Sequence, residues 1–154
     1  MGVMGCFAQQ QALEITATLK TKYPQLGKPI VVTFCMKNVS ALTVTLVMGN
    51  PATNYEFTVL DESGKEVPMT TGGKNAKARI GPRYFPTLVP GAKITEDVRI
   101  DDIIEISHPG HFTLKARRQS SPDGLVDRSR WTPSESNTLS FTVLENWMHK
   151  SIAQ

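Results

Sequence analysis

Long apolar runs are missing from this chain. No window of about eighteen residues is wholly apolar, which excludes a membrane-spanning helix from the sequence given. Cysteine is scarce: Cys6 and Cys35 are the only two, too few for a disulfide framework or a four-thiolate zinc site. Neither sign of charge dominates. Seventeen Lys and Arg face fourteen Asp and Glu, a formal +3 that is too mild to indicate a nucleic-acid binder. Nothing matches Gly-x-Ser-x-Gly, the setting of an α/β-hydrolase nucleophile. Gly72-Gly73-Lys74-Asn75 is not a phosphate-cradling loop, because Pro68 stands where the first Gly belongs and Asn75 replaces the magnesium-holding Ser or Thr. What is present is ordinary: 154 residues, 40% hydrophobic and 20% charged, enough for one domain with a real core.

The apolar pattern has the period of strands. Leu13, Ile15, Ala17 and Leu19 alternate with Glu14, Thr16, Thr18 and Lys20, as a half-buried strand requires. Ile30, Val32, Phe34 and Met36 continue the theme, with Cys35 in the same run as a small sheet or core residue. A third strand comes at Leu42, Val44, Leu46 and Met48, and a fourth at Tyr55, Phe57 and Val59. Later ones lie at Ile94, Glu96, Val98 and Ile100, at Phe112, Leu114 and Ala116, and at Leu139, Phe141 and Val143. Turn chemistry separates them: Gly49-Asn50-Pro51, Asp61 to Lys65, Val89-Pro90-Gly91 and His108-Pro109-Gly110. Residues 70–79, polar and containing Gly72-Gly73, read as the most mobile loop, and residues 120–136 as a long loop. The segment from Asp101 to Glu105 is long enough for one helical turn, with an aspartate as its cap. Val32, Phe34, Val44, Leu46, Phe57, Leu114 and Phe141 are the expected core.

Seven to nine short strands at this spacing predict an all-β fold, an antiparallel immunoglobulin-like β-sandwich, with a β-barrel as the alternative. The order of signals narrows it. Gly27-Lys28-Pro29 opens a strand that closes on Asn38-Val39-Ser40. Val89-Pro90-Gly91 comes later, then an Asp-rich turn and Pro109-Gly110-His111-Phe112-Thr113-Leu114. This series resembles bacterial immunoglobulin-like domains, in particular the sandwich domain of the intracellular proteinase inhibitor family, over residues 13–144. The resemblance implies a sandwich that binds a protein, with protease inhibition as one expected role. Phe112 stands where that family often has Tyr, and the segments at 70–79 and 119–136 are this chain's own.

Candidate chemistry is thin. His108 and His111 flank a Pro-Gly turn shortly after Asp101, Asp102 and Glu105, a set that could in principle hold a metal through mixed oxygen and nitrogen ligands. No spacing matches a known ligand set, so turn residues are the preferred reading and no metal or cofactor is expected. Asn38-Val39-Ser40 matches a glycosylation acceptor and equally a turn. The stronger signal is basic. Lys115, Arg117, Arg118, Arg128 and Arg130 face only Asp123 and Asp127, and Trp131 comes directly after. Arg and Trp are enriched in binding hot spots, so Arg117, Arg118, Arg128, Arg130 and Trp131 are the expected partner-binding residues. No aromatic series accompanies the charge, which disfavours nucleic acid.

Residues 1–12 read as a truncated signal, a lipobox-like segment with Cys6 as lipid anchor, or a disordered start, and residues 145–154 as a weakly helical tail. The expectation is a non-catalytic binding module, secreted, periplasmic or lipid-anchored, contacting a protein or cell-envelope component through sandwich-end loops. A cytoplasmic location is the alternative. The other functions weighed are a proteinase-inhibitor-like domain and a small metal-binding or enzymatic sandwich using the His108/His111 turn.

Overall fold

The structure is a computed structural model that describes residues 11–79, 81–122 and 130–146. Residues 1–10 of the expected leader, Cys6 among them, the tail beyond residue 146 and Arg128 therefore lie outside the described residues. Nine strands form among the described residues: β1 (Leu13–Leu19), β2 (Val31–Asn38), β3 (Val44–Thr45), β4 (Glu56–Leu60), β5 (Thr87–Leu88), β6 (Lys93–Arg99), β7 (Gly110–Pro122), β8 (Thr132–Glu135) and β9 (Leu139–Val143). Three short helices join them: α1 (Pro51–Asn54), α2 (Thr71–Ala78) and α3 (Ile100–Ile103). The strands make two antiparallel sheets, one of β1-β2-β6 and one of six strands, and no closed barrel. The fold is an all-β sandwich.

Alternation explains the packing. Along β1, Leu13, Ile15 and Ala17 are buried while Glu14, Thr16 and Thr18 are exposed, and along β2, Val32, Phe34 and Met36 are buried. These face Val59, Leu114, Ala116, Phe141 and Val143 of the larger sheet. Phe34 joins the layers, its ring centroid 5.0 Å from that of Tyr55 and 5.8 Å from that of Phe57. Six of the seven expected core residues are buried; Phe57 is half-buried. Thirteen-residue β7 is the spine of its sheet, pairing in turn with β9, β4, β8 and β3.

Three local expectations are corrected. Residues 70–79 form a helix, α2, rather than a mobile loop. Thr70 caps it by accepting from the Gly73 N–H at 2.8 Å, and its hydroxyl donates to the Asp102 carbonyl at 2.6 Å. Gly73 is required for the close fit, since a Cβ there would sit 2.6 Å from the Ile103 carbonyl oxygen. Residues 120–136 are not one long loop, because β7 runs on to Pro122 and β8 occupies Thr132–Glu135. The aspartate expected to cap residues 101–105 does not do so. Arg99 occupies the N-cap of α3 without a side-chain bond, and Asp101 accepts from the Ile30 N–H at 2.8 Å instead.

Asn38 resolves the glycosylation reading. It is fully buried, its amide donates to the Leu42 and Leu88 carbonyls at 2.7 and 2.8 Å, and its oxygen accepts from the Ser40 N–H at 2.9 Å. The side chain ties β2 to the turn beyond it, and both of its amide hydrogens are used within the fold.

Candidate functional site

The site begins with two turn signals. Asn50 caps α1, accepting from the Ala52 N–H at 3.1 Å, and its amide donates to the Ala76 carbonyl at 2.9 Å. One side chain thus starts α1 and pins α2 against it. Gly49, at φ +143°, leaves room for the segment that returns alongside: a Cβ there would meet the Pro82 carbonyl oxygen at 2.5 Å. Met48 and Tyr84 then exchange backbone hydrogen bonds of 2.9 and 3.1 Å.

Three adjoining hollows result, and Arg83 lines all of them. The largest, about 890 Å³, is an open groove between α2 and the 81–84 segment, walled by Asn50, Asn75, Arg79, Arg83 and Tyr84. A second, about 230 Å³, adds Lys77. The third, about 210 Å³, reaches toward β7 and is walled by Asn54, Arg83, Arg118, Gln119 and Trp131. No carboxylate lines any of the three among the described residues.

The sequence carries a signal for this end of the molecule that alternation and turn chemistry do not reveal. Between Glu66 and Glu96 there are five cationic residues, Lys74, Lys77, Arg79, Arg83 and Lys93, and no carboxylate. Among the described residues none of the five is ion-paired; elsewhere Lys22, Lys28, Lys37, Lys65 and Arg117 are also without ion pairs, while three exposed cations are neutralised. Lys20 pairs with Asp97, Arg99 with Asp101 at 2.6 Å, and Lys115 with Glu135 at 2.9 Å. Those contacts hold the Asp97 and Glu135 carboxyls below their usual range, through hydrogen bonds from Lys20 and Lys115 first.

The expected partner-binding residues separate. Arg117 and Arg118 are consecutive in a strand, so their side chains leave opposite faces. Arg117 is exposed and stands opposite Glu56 and Glu135 in the ladder. Arg118 turns inward and is only 2% exposed, which corrects its assignment as a surface contact. Its guanidinium donates to the Val47 carbonyl and to the Met36 sulfur at 3.1 Å, lies 4.6 Å from the centroid of the Tyr55 ring, and stands 3.9 Å from Glu96. Tyr55 in turn donates to Glu96 at 2.8 Å. Burial pushes the Tyr55 phenol above its ordinary range, a rise that Arg118 partly offsets. This polar knot bridges the sheets and is structural. Trp131 is half-buried at the wall it shares with Arg118 and Arg83, and Arg130 is exposed beside it.

The histidines are engaged separately. His111 Nδ1 lies 2.8 Å from the Thr142 hydroxyl, while His108 stacks on Phe112 with ring centroids 5.4 Å apart. Asp101 and Asp102 both face Arg99. Among the described residues, no group of three or more His, Cys, Asp or Glu is gathered as a metal site, and no helix is long and apolar enough to cross a membrane.

No family model matches the chain, and no curated protein matches it. Among solved structures, the chain is similar to Northeast Structural Genomics Consortium target SoR45, with 8% sequence identity over 88% of this chain and 90% of that one, at a TM-score of 0.47. At that level the likeness assigns neither a family nor an activity.

Proposed function

We propose that this protein is a non-catalytic binding module that engages an anionic partner, a protein or a cell-envelope component, through the basic end of its sandwich. The observation that carries this reading is the concentration of unpaired cations on α2 and the 81–84 segment, around hollows without a single carboxylate among the described residues. Leaving like charges together raises the energy of the free protein slightly and accelerates encounter with an opposite surface. Arg79 and Arg83 supply planar, multidentate donors suited to carboxylate or phosphate. Asn50 and Asn75 add neutral donors and acceptors along the same groove.

Calorimetry with poly-glutamate at low and physiological salt tests the reading. Wild-type protein is expected to bind with an affinity that falls as salt rises. Arg79→Ala/Arg83→Ala is expected to fold normally, because both residues are exposed and without ion pairs among the described residues, and to lose at least about tenfold in affinity. Equal binding by the double variant would reject the site.

A further inference from the structure

The same end carries an unguarded sheet edge. β5 is the outermost strand of the six-stranded sheet, and the extended segment leading into it continues the ladder with β3. Tyr84 pairs with Met48 in both directions, and the Pro86 carbonyl accepts from the Leu46 N–H at 3.0 Å. Backbone groups alternate along an antiparallel strand, so the N–H and C=O groups of Phe85 and Thr87 face away from β3. No described residue bonds to them.

Proteins commonly blunt such an edge with a proline or a charge. Here the proline is turned the other way. Because the Pro86 carbonyl bonds inward to Leu46, its missing N–H also falls on the paired side, and the outward donors of Phe85 and Thr87 survive. Phe85 and Val89 are 56% and 59% exposed along this edge, and Tyr84 is 58% exposed at its start. Arg83 precedes the segment, Arg79 faces Tyr84 across the groove, and Lys93 lies beyond it, all without ion pairs among the described residues.

We infer that an extended acidic peptide adds to this edge as a further strand. Its main chain bonds to Phe85 and Thr87, its carboxylates meet Arg83 and Arg79, and its apolar side chains lie on Phe85 and Val89. The charge selects this occupant: a second copy of the chain would bring Arg83 and Lys93 against the same cations. The inference rests on the anionic-partner reading and adds the mode of attachment.

The test uses capped peptides of about eight residues with Glu in one half and Val in the other, so that one face carries both, the same peptide N-methylated at every residue, and a Lys/Val counterpart. The Glu/Val peptide is expected to bind and to slow amide exchange at Phe85 and Thr87. Blocking its main-chain donors is expected to weaken binding by at least about tenfold, the cost of roughly two hydrogen bonds. The Lys/Val peptide is expected not to bind. Equal affinity for the N-methylated peptide, with Phe85 and Thr87 unprotected, would overturn strand addition while leaving the anionic-partner reading intact. Failure of the Glu/Val peptide where poly-glutamate still binds would do the same, and failure of both would overturn the two together. Concentration-dependent dimerisation that protects Phe85 and Thr87 without peptide would assign the edge to a second copy instead.

Discussion

The β1-β2-β6 sheet and the β3-β5 edge of the opposite sheet are built on contrary plans. In the first, seven-residue ladders run unbroken between β1 and β2 and between β2 and β6. Its outward charges are matched at one end, where Asp97 takes both Lys20 and the Thr33 hydroxyl, the latter at 2.7 Å, while Lys37 and Lys93 stand opposite each other at the other end without ion pairs among the described residues. In the second, only two residue pairs form a regular ladder, Pro86 and Pro90 flank β5 closely, and cations stand without carboxylates. The matched sheet spends its polar groups on itself. The edge leaves both backbone donors and charge available, which is the state expected of a surface that completes itself with another molecule.

The contrast breaks most sharply if substitutions in the body alter binding or those at the edge alter stability. Phe34→Ala carries the largest expected effect. This ring is fully buried between the sheets, and its loss should cost about 3–5 kcal/mol in a urea melt. Arg118→Ala comes next, at roughly 2–3 kcal/mol, because the Val47 carbonyl loses its donor and Glu96 its counter-charge in the interior. If Arg118 were a partner contact, the variant would instead keep its stability and lose poly-glutamate binding.

Tyr55 sharpens the comparison through pH. Its phenol is raised in the folded protein relative to about 10 in the unfolded chain, so its contribution is complete below pH 10. As pH rises further, the unfolded chain ionises first and stability falls, by at most about 1.4 kcal/mol per pH unit from this group. Tyr55→Phe should remove that increment from the alkaline limb of the stability profile, and an unchanged limb would contradict the buried assignment. The smallest effect is Thr70→Ala, about 1 kcal/mol, from the lost cap of α2. Faster amide exchange confined to α2 would show it.

The matched sheet is legible in residue alternation alone. Leu13, Ile15 and Ala17 and then Val32, Phe34 and Met36 repeat every second position, and one buried face results directly. The basic end is not legible that way. Gly72-Gly73 is a turn signal in isolation, whereas in the fold the Thr70 cap starts a helix there and the close Ile103 backbone leaves room for no side chain at Gly73. β3 and β5 are too short for period to register, and their pairing depends on residues some forty positions apart. Charge alone groups Arg117 with Arg118, whereas strand period sends neighbours to opposite faces. The stretch without carboxylates between Glu66 and Glu96 is plain in the sequence and is the better pointer to the basic end.

The most direct test compares both regions in one titration. Uniformly ¹⁵N-labelled protein is followed by NMR as the Glu/Val peptide is added at low salt. Shifts are expected to gather on Asn75, Lys77, Arg79, Arg83, Phe85 and Thr87 and to leave the amides of β1, β2 and β6 in place. Shifts centred on β1, β2 and β6, or spread evenly over both sheets, would contradict the assignment of the basic end as the binding surface.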